Sequence, residues 1–210
     1  DKIAALEAET GKKVHTVLQL RYHPGILKLK KEIEESGKNH FDIDLKYITS
    51  RGKWYRKSWK GDSGKSGGIA TNIGIHFFDM LIWIFGKVQN NIVHIHTHDR
   101  AAGYLELERG KVRWFLSIDY DVIPEELKAK GLRTFRSINI EGEEFEFSGG
   151  FTELHNTSYQ HILDGEGFRI SETKKAIDIV HQIRHQNPVG LVGDYHPFAK
   201  KKLKKHPFNN

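Results

Sequence analysis

Asn72, His76 and Asp79 stand four and three residues apart in an otherwise apolar run that follows Gly67-Gly68. On an α-helix those spacings place all three polar side chains on one face. An imidazole titrates near neutral pH, so His76 is suited to take the proton of a substrate hydroxyl. The amide of Asn72, one turn earlier, can orient the imidazole or the hydroxyl by hydrogen bonding. Leaving such groups unpaired inside an apolar helix costs about 1–3 kcal/mol each, so the run predicts partners or a ligand for them. Ile73, Phe77, Met80, Leu81 and Ile84 form the opposite, core-facing stripe. The paired glycines let a ligand or another backbone approach closely.

Just upstream, Arg51, Trp54, Tyr55, Arg56, Trp59 and Lys60 mix cations with flat rings. That mixture suits a ligand carrying phosphates, a base and a sugar, and it also suits an interface. Lys60, Lys65 and Ser66 can each donate to phosphate or carboxylate oxygens. The stretch from Gly61 to Ser66 looks superficially like a phosphate-binding loop, but Trp59 stands where such a loop needs glycine. His94, His96 and His98 share one strand parity and could hold a metal. With Asp99 as the one carboxylate beside them, a solvated or subunit-facing strand surface is the expectation, and no metal site is assigned. Asp42 and Asp44 are the outward positions of an alternating strand.

These residues need elements to hold them. A helix is expected over residues 1–10, closed by Gly11, then a buried strand over 14–20. After Pro24 a helix runs over 25–36, striped by Ile26, Leu29 and Ile33 and ended by Gly37. Strict alternation from Phe41 to Tyr47 predicts a half-buried strand over 41–50. A polar, aromatic loop over 51–68 leads into the glycine helix, which ends at Gly86. Strands follow over 91–97, 104–108, 112–120, 136–140 and 145–148, with tight turns at Arg109-Gly110 and Glu141-Gly142. Helices close the domain over 153–163 and from Ser171, as N-cap, to just before Pro188. The sum is an α+β domain with a mostly antiparallel open sheet, helices on one face and the other face free for a partner subunit. Residues 1–22, a helix running into a strand, read as the last piece of a truncated Rossmann domain. Residues 23–190 read as a substrate-binding and oligomerisation domain, and 191–210 as a basic tail.

The 210 residues are 38% hydrophobic and 11% aromatic, enough for a substantial core. The absence of cysteine excludes disulfide and thiol chemistry and fits a reducing cytoplasm. Net charge is +6, helped by Lys200, Lys201, Lys202, Lys204 and Lys205. A solvated tail explains that cluster, with attraction of a polyanionic ligand as the alternative. No helix-turn-helix, zinc-finger or RNP pattern points to nucleic acid. The longest apolar stretch, 73–85, is broken by His76 and Asp79 and is too short to cross a bilayer.

The run Asn72-Ile73-Gly74-Ile75-His76-Phe77-Phe78-Asp79, after its glycine pair, resembles the Asp-x-Gly-x-His-x-x-Asp signature of the glucose–fructose oxidoreductase/inositol dehydrogenase/MocA family of nicotinamide-dependent dehydrogenases. Asn72 replaces the usual aspartate. That replacement, with the stretches 17–24, 47–55 and 113–119, is similar to the UDP-N-acetylglucosaminuronate 3-dehydrogenases of O-antigen and related surface-polysaccharide pathways. The resemblance implies oxidation of a sugar C3 hydroxyl by hydride transfer to NAD, with His76 and Asn72 as catalytic residues. It implies that Arg51, Tyr55, Lys60, Lys65 and Ser66 contact the UDP-sugar. A cytoplasmic homo-oligomer, joined through the open sheet face, is expected, and a non-catalytic dimerisation or sugar-nucleotide-binding module or a dehydrogenase of inositol or a simple sugar are the alternatives. The family's Gly-x-Gly-x-x-Gly turn and its Glu-Lys-Pro lysine do not occur in this sequence. NAD is therefore expected to be held mainly by residues preceding Asp1, and the chain by itself is expected to be inactive.

Overall fold

The computed structural model describes residues 2–147, 149–203 and 205–208. Asp1 of the expected first helix, Ser148 of the expected last strand, and Lys204, Asn209 and Asn210 of the tail lie outside the described residues. α1 (Lys2–Thr10) and α2 (Pro24–Glu35) precede β1 (Phe41–Thr49). The short α3 (Lys53–Lys57) and α4 (Ser63–Ser66) lead into a π-helical turn at Ala70–Gly74, which continues as α5 (Ile75–Phe85). Next come β2 (Val88–His96), β3 (Arg100–Leu107) and β4 (Gly110–Ser117). The remaining elements are α6 (Glu125–Ala129), β5 (Thr134–Ile140), β6 (Glu143–Glu146), α7 (Leu154–Leu163) and α8 (Ile170–His185).

The strands form one open sheet in the order β2-β3-β4-β1-β5-β6. β1 and β4 run parallel, and every other neighbouring pair is antiparallel. The fold is the α+β architecture that the alternation of apolar residues implied. Phe41, Ile43, Leu45 and Tyr47 of β1 share a core with Val112, Trp114 and Leu116 of β4 and with the buried stripes of α2, α5 and α8. α5 is buried on most sides, and the apolar stretch Ser63–Phe85, long enough by composition to cross a membrane, is a core helix with 61% of its most apolar window inside the fold.

Several local expectations are corrected by tertiary contacts. Residues 14–20 form no strand: a single bridge joins His15 to Arg169, and Gln19–Tyr22 is a 3₁₀ turn. With one backbone partner there is no ladder to sustain a strand. The loop over 51–68 is coiled into α3, a 3₁₀ turn at Trp59–Gly61 and α4. Turn Glu141-Gly142 has both residues left-handed (φ 56° and 92°), as a tight hairpin requires. The other turn is Glu108-Arg109, because Gly110 already pairs with Phe41. α8 starts at Ile170 with Arg169 as its cap, and Glu172 accepts from the Arg169 N–H at 2.8 Å, so Ser171 lies inside the helix. A β-bulge at His94 reverses the alternation of β2, since Val93 and Ile95 pair with the consecutive residues Gly103 and Ala102. The three histidines therefore do not share a face. His94 is buried against Tyr195, and among the described residues no three metal-ligating side chains converge.

The second face of the sheet is covered at one end. Ile48, Ala102, Phe115 and Phe135 pack with Val122, Ile123 and Ala199, and His196 stacks on Phe115. The tail is thus only partly solvated: Lys200, Lys201, Lys202 and Lys205 are exposed, but Arg100 donates to the carbonyls of Lys201 and Lys202. Burial, reinforced by Lys46 and Arg113, pushes the His196 imidazole down to about 3. In the unfolded chain it titrates near its ordinary 6.5. As pH falls below that value the unfolded chain takes up a proton that the folded chain refuses, so stability falls with decreasing pH. His196 Nδ1 accepts from the Phe198 N–H at 3.1 Å, a contact that asparagine can reproduce. The urea midpoint is expected to drop between neutral pH and pH 4, and to drop less steeply in His196→Asn. Equal slopes would remove His196 from the acid sensitivity.

Candidate active site

The π-helical turn and the first turn of α5 deliver the polar edge of this helix to a cavity of about 270 Å³. Asn72, Ile73, His76 and Phe77 form one wall. Tyr47 from β1 and Arg136 from β5 face them, Arg51 stands at the end of β1, and Gln19, Leu20, Phe151 and His155 close the space. Asn72 and His76 therefore point into one cavity, as their spacing predicted. Ile73 and Phe77, expected on the opposite side, line it as well, because the extra residue of the π turn widens the face that the helix presents.

His76 is half-buried, and its Nδ1 has no hydrogen-bond partner. Burial, with His155 adding to it, pushes its pKa down to about 4. The imidazole is neutral at pH 7 and free to accept a proton. Asn72 does not touch it: Nδ2 donates to the Lys60 carbonyl at 3.4 Å. The Ser66 hydroxyl donates to that same carbonyl at 3.0 Å and accepts from the Gly68 N–H at 3.1 Å. Ser66 is buried and fully engaged in holding the loop, so the structure gives it a supporting position and none on the cavity wall. Lys65 is exposed beside Asp62 and lines neither this cavity nor the one next to it.

That neighbouring cavity, about 100 Å³, shares Arg51, Asn72 and Ile73 with the first and adds Trp54, Tyr55 and Lys60. Tyr55 is buried, and burial raises its pKa most, with the Arg51 charge and Asn72 beside the hydroxyl opposing. Among the described residues no aspartate or glutamate lines either cavity. The guanidinium of Arg136 lies 3.9 Å from the Phe151 ring centre and donates to the Tyr47 hydroxyl at 3.3 Å. These walls suit an anionic, hydroxylated ligand. At α4, Asp62 accepts from the N–H groups of Gly64 and Lys65, so its carboxylate occupies the place a phosphate would need, and the phosphate-loop likeness ends there.

Asp79 is absent from the cavity. Arg21 grips it with Nε and Nη2 at 2.8 and 2.7 Å, and both side chains are buried. Three residues beyond His76, the helix has turned Asp79 toward the 3₁₀ turn. Its role is to tie residues 19–22 to α5. Tyr47, Arg136, Phe151 and His155 carried no signal in the sequence. Arg136 pairs with Tyr47 in the sheet register, which only the long-range topology reveals.

Residues 39–122 match the family model described as the C-terminal α/β domain of an oxidoreductase family, the one that includes glucose–fructose oxidoreductase, inositol dehydrogenase and MocA. The WlbA (WbpB) dehydrogenase from Thermus thermophilus, solved with NAD and UDP-GlcNAcA, is 50% identical over 94% of this chain, with a TM-score of 0.89. The chain belongs to this oxidoreductase family. The Thermus protein solved with NAD and α-ketoglutarate matches at 51% identity with a TM-score of 0.90. In both comparisons the chain spans 64% of the relative's length. WlbA from Bordetella pertussis, solved with NADH and UDP-GlcNAcA, shares the fold over 87% of this chain at 17% identity and a TM-score of 0.66. In this family member Arg21→Met would leave the Asp79 carboxylate buried and unpaired, at a cost of about 3–5 kcal/mol. Urea denaturation measures it; a loss below about 1 kcal/mol would show that the pair does not hold residues 19–22 to α5.

Proposed function

We propose that this chain is the substrate-binding part of an NAD-dependent oxidoreductase that oxidises the C3 hydroxyl of a UDP-N-acetylated hexuronate. The observation that carries the proposal is a neutral imidazole, without a hydrogen-bond partner at Nδ1, sharing one cavity with two guanidiniums. The 50%-identical Thermus relative, which binds NAD and UDP-GlcNAcA, supports the ligand class. His76 takes the hydroxyl proton. Burial disfavours the imidazolium that results, so the proton is passed on rather than stored. Asn72, fixed by the Lys60 carbonyl, hydrogen-bonds the sugar, and Arg51 with Arg136 attracts the uronate carboxylate. NAD, when bound, supplies the hydride acceptor.

The cavity fits a sugar ring, and a whole dinucleotide is too large for it. We infer that NAD is held mainly by a separate dinucleotide-binding domain, so that these residues alone are inactive. The same positive walls suit a 2-oxo dicarboxylate such as the α-ketoglutarate that the Thermus protein binds with NAD. An enzyme using NAD and UDP-sugars belongs in the cytoplasm, in a surface-polysaccharide pathway such as O-antigen synthesis. The uncovered part of the outer sheet face is the proposed surface for homo-oligomerisation.

In the whole enzyme, His76→Ala is expected to lower kcat on UDP-N-acetylglucosaminuronate by about two to four orders of magnitude. Substrate deuterated at C3 should show a primary isotope effect in wild type. Unchanged turnover removes His76 from the chemistry, and absence of the isotope effect when hydride transfer is rate-limiting moves the oxidation to another carbon. Wild-type turnover of inositol or a free sugar in preference to the UDP-sugar would favour the alternative substrate class.

A further inference from the structure

The indole of Trp54 is 60% exposed, an unusual place for so large an apolar ring. It is nonetheless held. Its ring meets Tyr55 edge-to-face, with centres 5.9 Å apart at 73°. It folds back over Gly52, where a Cβ would come within 2.9 Å of Trp54 Cδ1 and 3.2 Å of Nε1. Trp54 also forms part of the wall of the smaller cavity, which continues from the His76 cavity through Arg51, Asn72 and Ile73. Arg51 and Lys60 border the smaller cavity, both exposed, and among the described residues neither is in an ion pair.

Joined to the His76 cavity through Arg51, Asn72 and Ile73, the smaller cavity adds a second cation, Lys60, and a flat exposed ring. Those are groups that a nucleoside diphosphate sugar would contact. We propose that the diphosphate of the substrate lies between Arg51 and Lys60, and that its nucleobase stacks on Trp54. The assignment rests on the sugar-nucleotide reading above and goes beyond it by locating the nucleotide half of the ligand. Trp59 makes the contrast. It is 58% exposed and only five residues away, yet it lines neither cavity, and it has no part in base binding.

Calorimetric titration of the whole enzyme with UDP and with the uronate 1-phosphate, which lacks the base, tests the assignment without turnover. Trp54→Ala is expected to weaken UDP binding about ten- to a hundredfold, the scale of base–aromatic stacking, and to leave the sugar 1-phosphate unaffected. Trp54→Phe restores most of the loss, and Trp59→Ala binds UDP as wild type does. Wild-type UDP affinity in folded Trp54→Ala overturns the proposal, and so does an equal loss in Trp59→Ala. A failure of the catalytic reading shows separately, as His76→Ala retaining turnover while the Trp54 series behaves as expected.

Discussion

The seating of α5 on the sheet is the constraint on which the rest of the structure depends. Gly74 makes it possible. A Cβ at that position would lie 2.8 Å from Leu116 Cδ1 of β4 and 2.7 Å from Phe78 Cε2, closer than packed carbon atoms tolerate. With hydrogen there, the helix drops onto β4, Phe78 meets Trp114 edge-to-face at 5.2 Å, and Phe77 reaches Tyr47 at 4.7 Å. Depth in the core also produces the electrostatics of the site. An imidazole carried by so deep a helix loses water, and its charged form is disfavoured. Packing and proton affinity therefore have one cause.

A helix that is apolar nearly all round still needs its polar groups satisfied, and α5 meets that need in three ways. Asp79 receives a guanidinium from a segment 58 residues earlier in the chain, which converts a buried charge into a clasp. Asn72 bonds the carbonyl of Lys60 and so ties the helix to the aromatic loop, with Ser66 holding the same oxygen. His76 alone receives no hydrogen bond at Nδ1. With Asn72 and Asp79 both engaged, the unpaired imidazole marks the position at which folding and function part company.

Legibility in the sequence followed the range of the interactions. The alternation in Phe41–Thr49 and the stripe in α2 are local patterns, and the elements they imply are present with nearly the expected ends. The pairing of Asn72 with His76 was readable because one helix presents both. Asp79 was misplaced by the same reasoning. Helical spacing says which residues are neighbours on a cylinder, whereas the distant Arg21 decides where that cylinder turns its third polar group. The histidines of β2 fail for a related reason. A strand parity survives only without a bulge, and the bulge at His94 depends on its pairing with β3. Tyr47, Arg136 and His155 converge from three elements, so their shared cavity exists only at the level of topology.

The positive balance of the molecule divides between two uses that composition cannot separate. At the tail, lysine side chains stay in water while the backbone docks, and Arg100, buried among Asp99 and Asp119, spends its charge on holding that backbone. On the outer sheet face Arg113 is ringed by Asp42, Asp44 and Asp194 and lies above its usual pKa for that reason. Charges neutralised in this way contribute little field to a ligand. Arg51 and Lys60 differ because, among the described residues, no carboxylate shares their cavity wall. Arg51 and Lys60 therefore offer an incoming anion positive charge beside His76 that no ion pair among the described residues offsets.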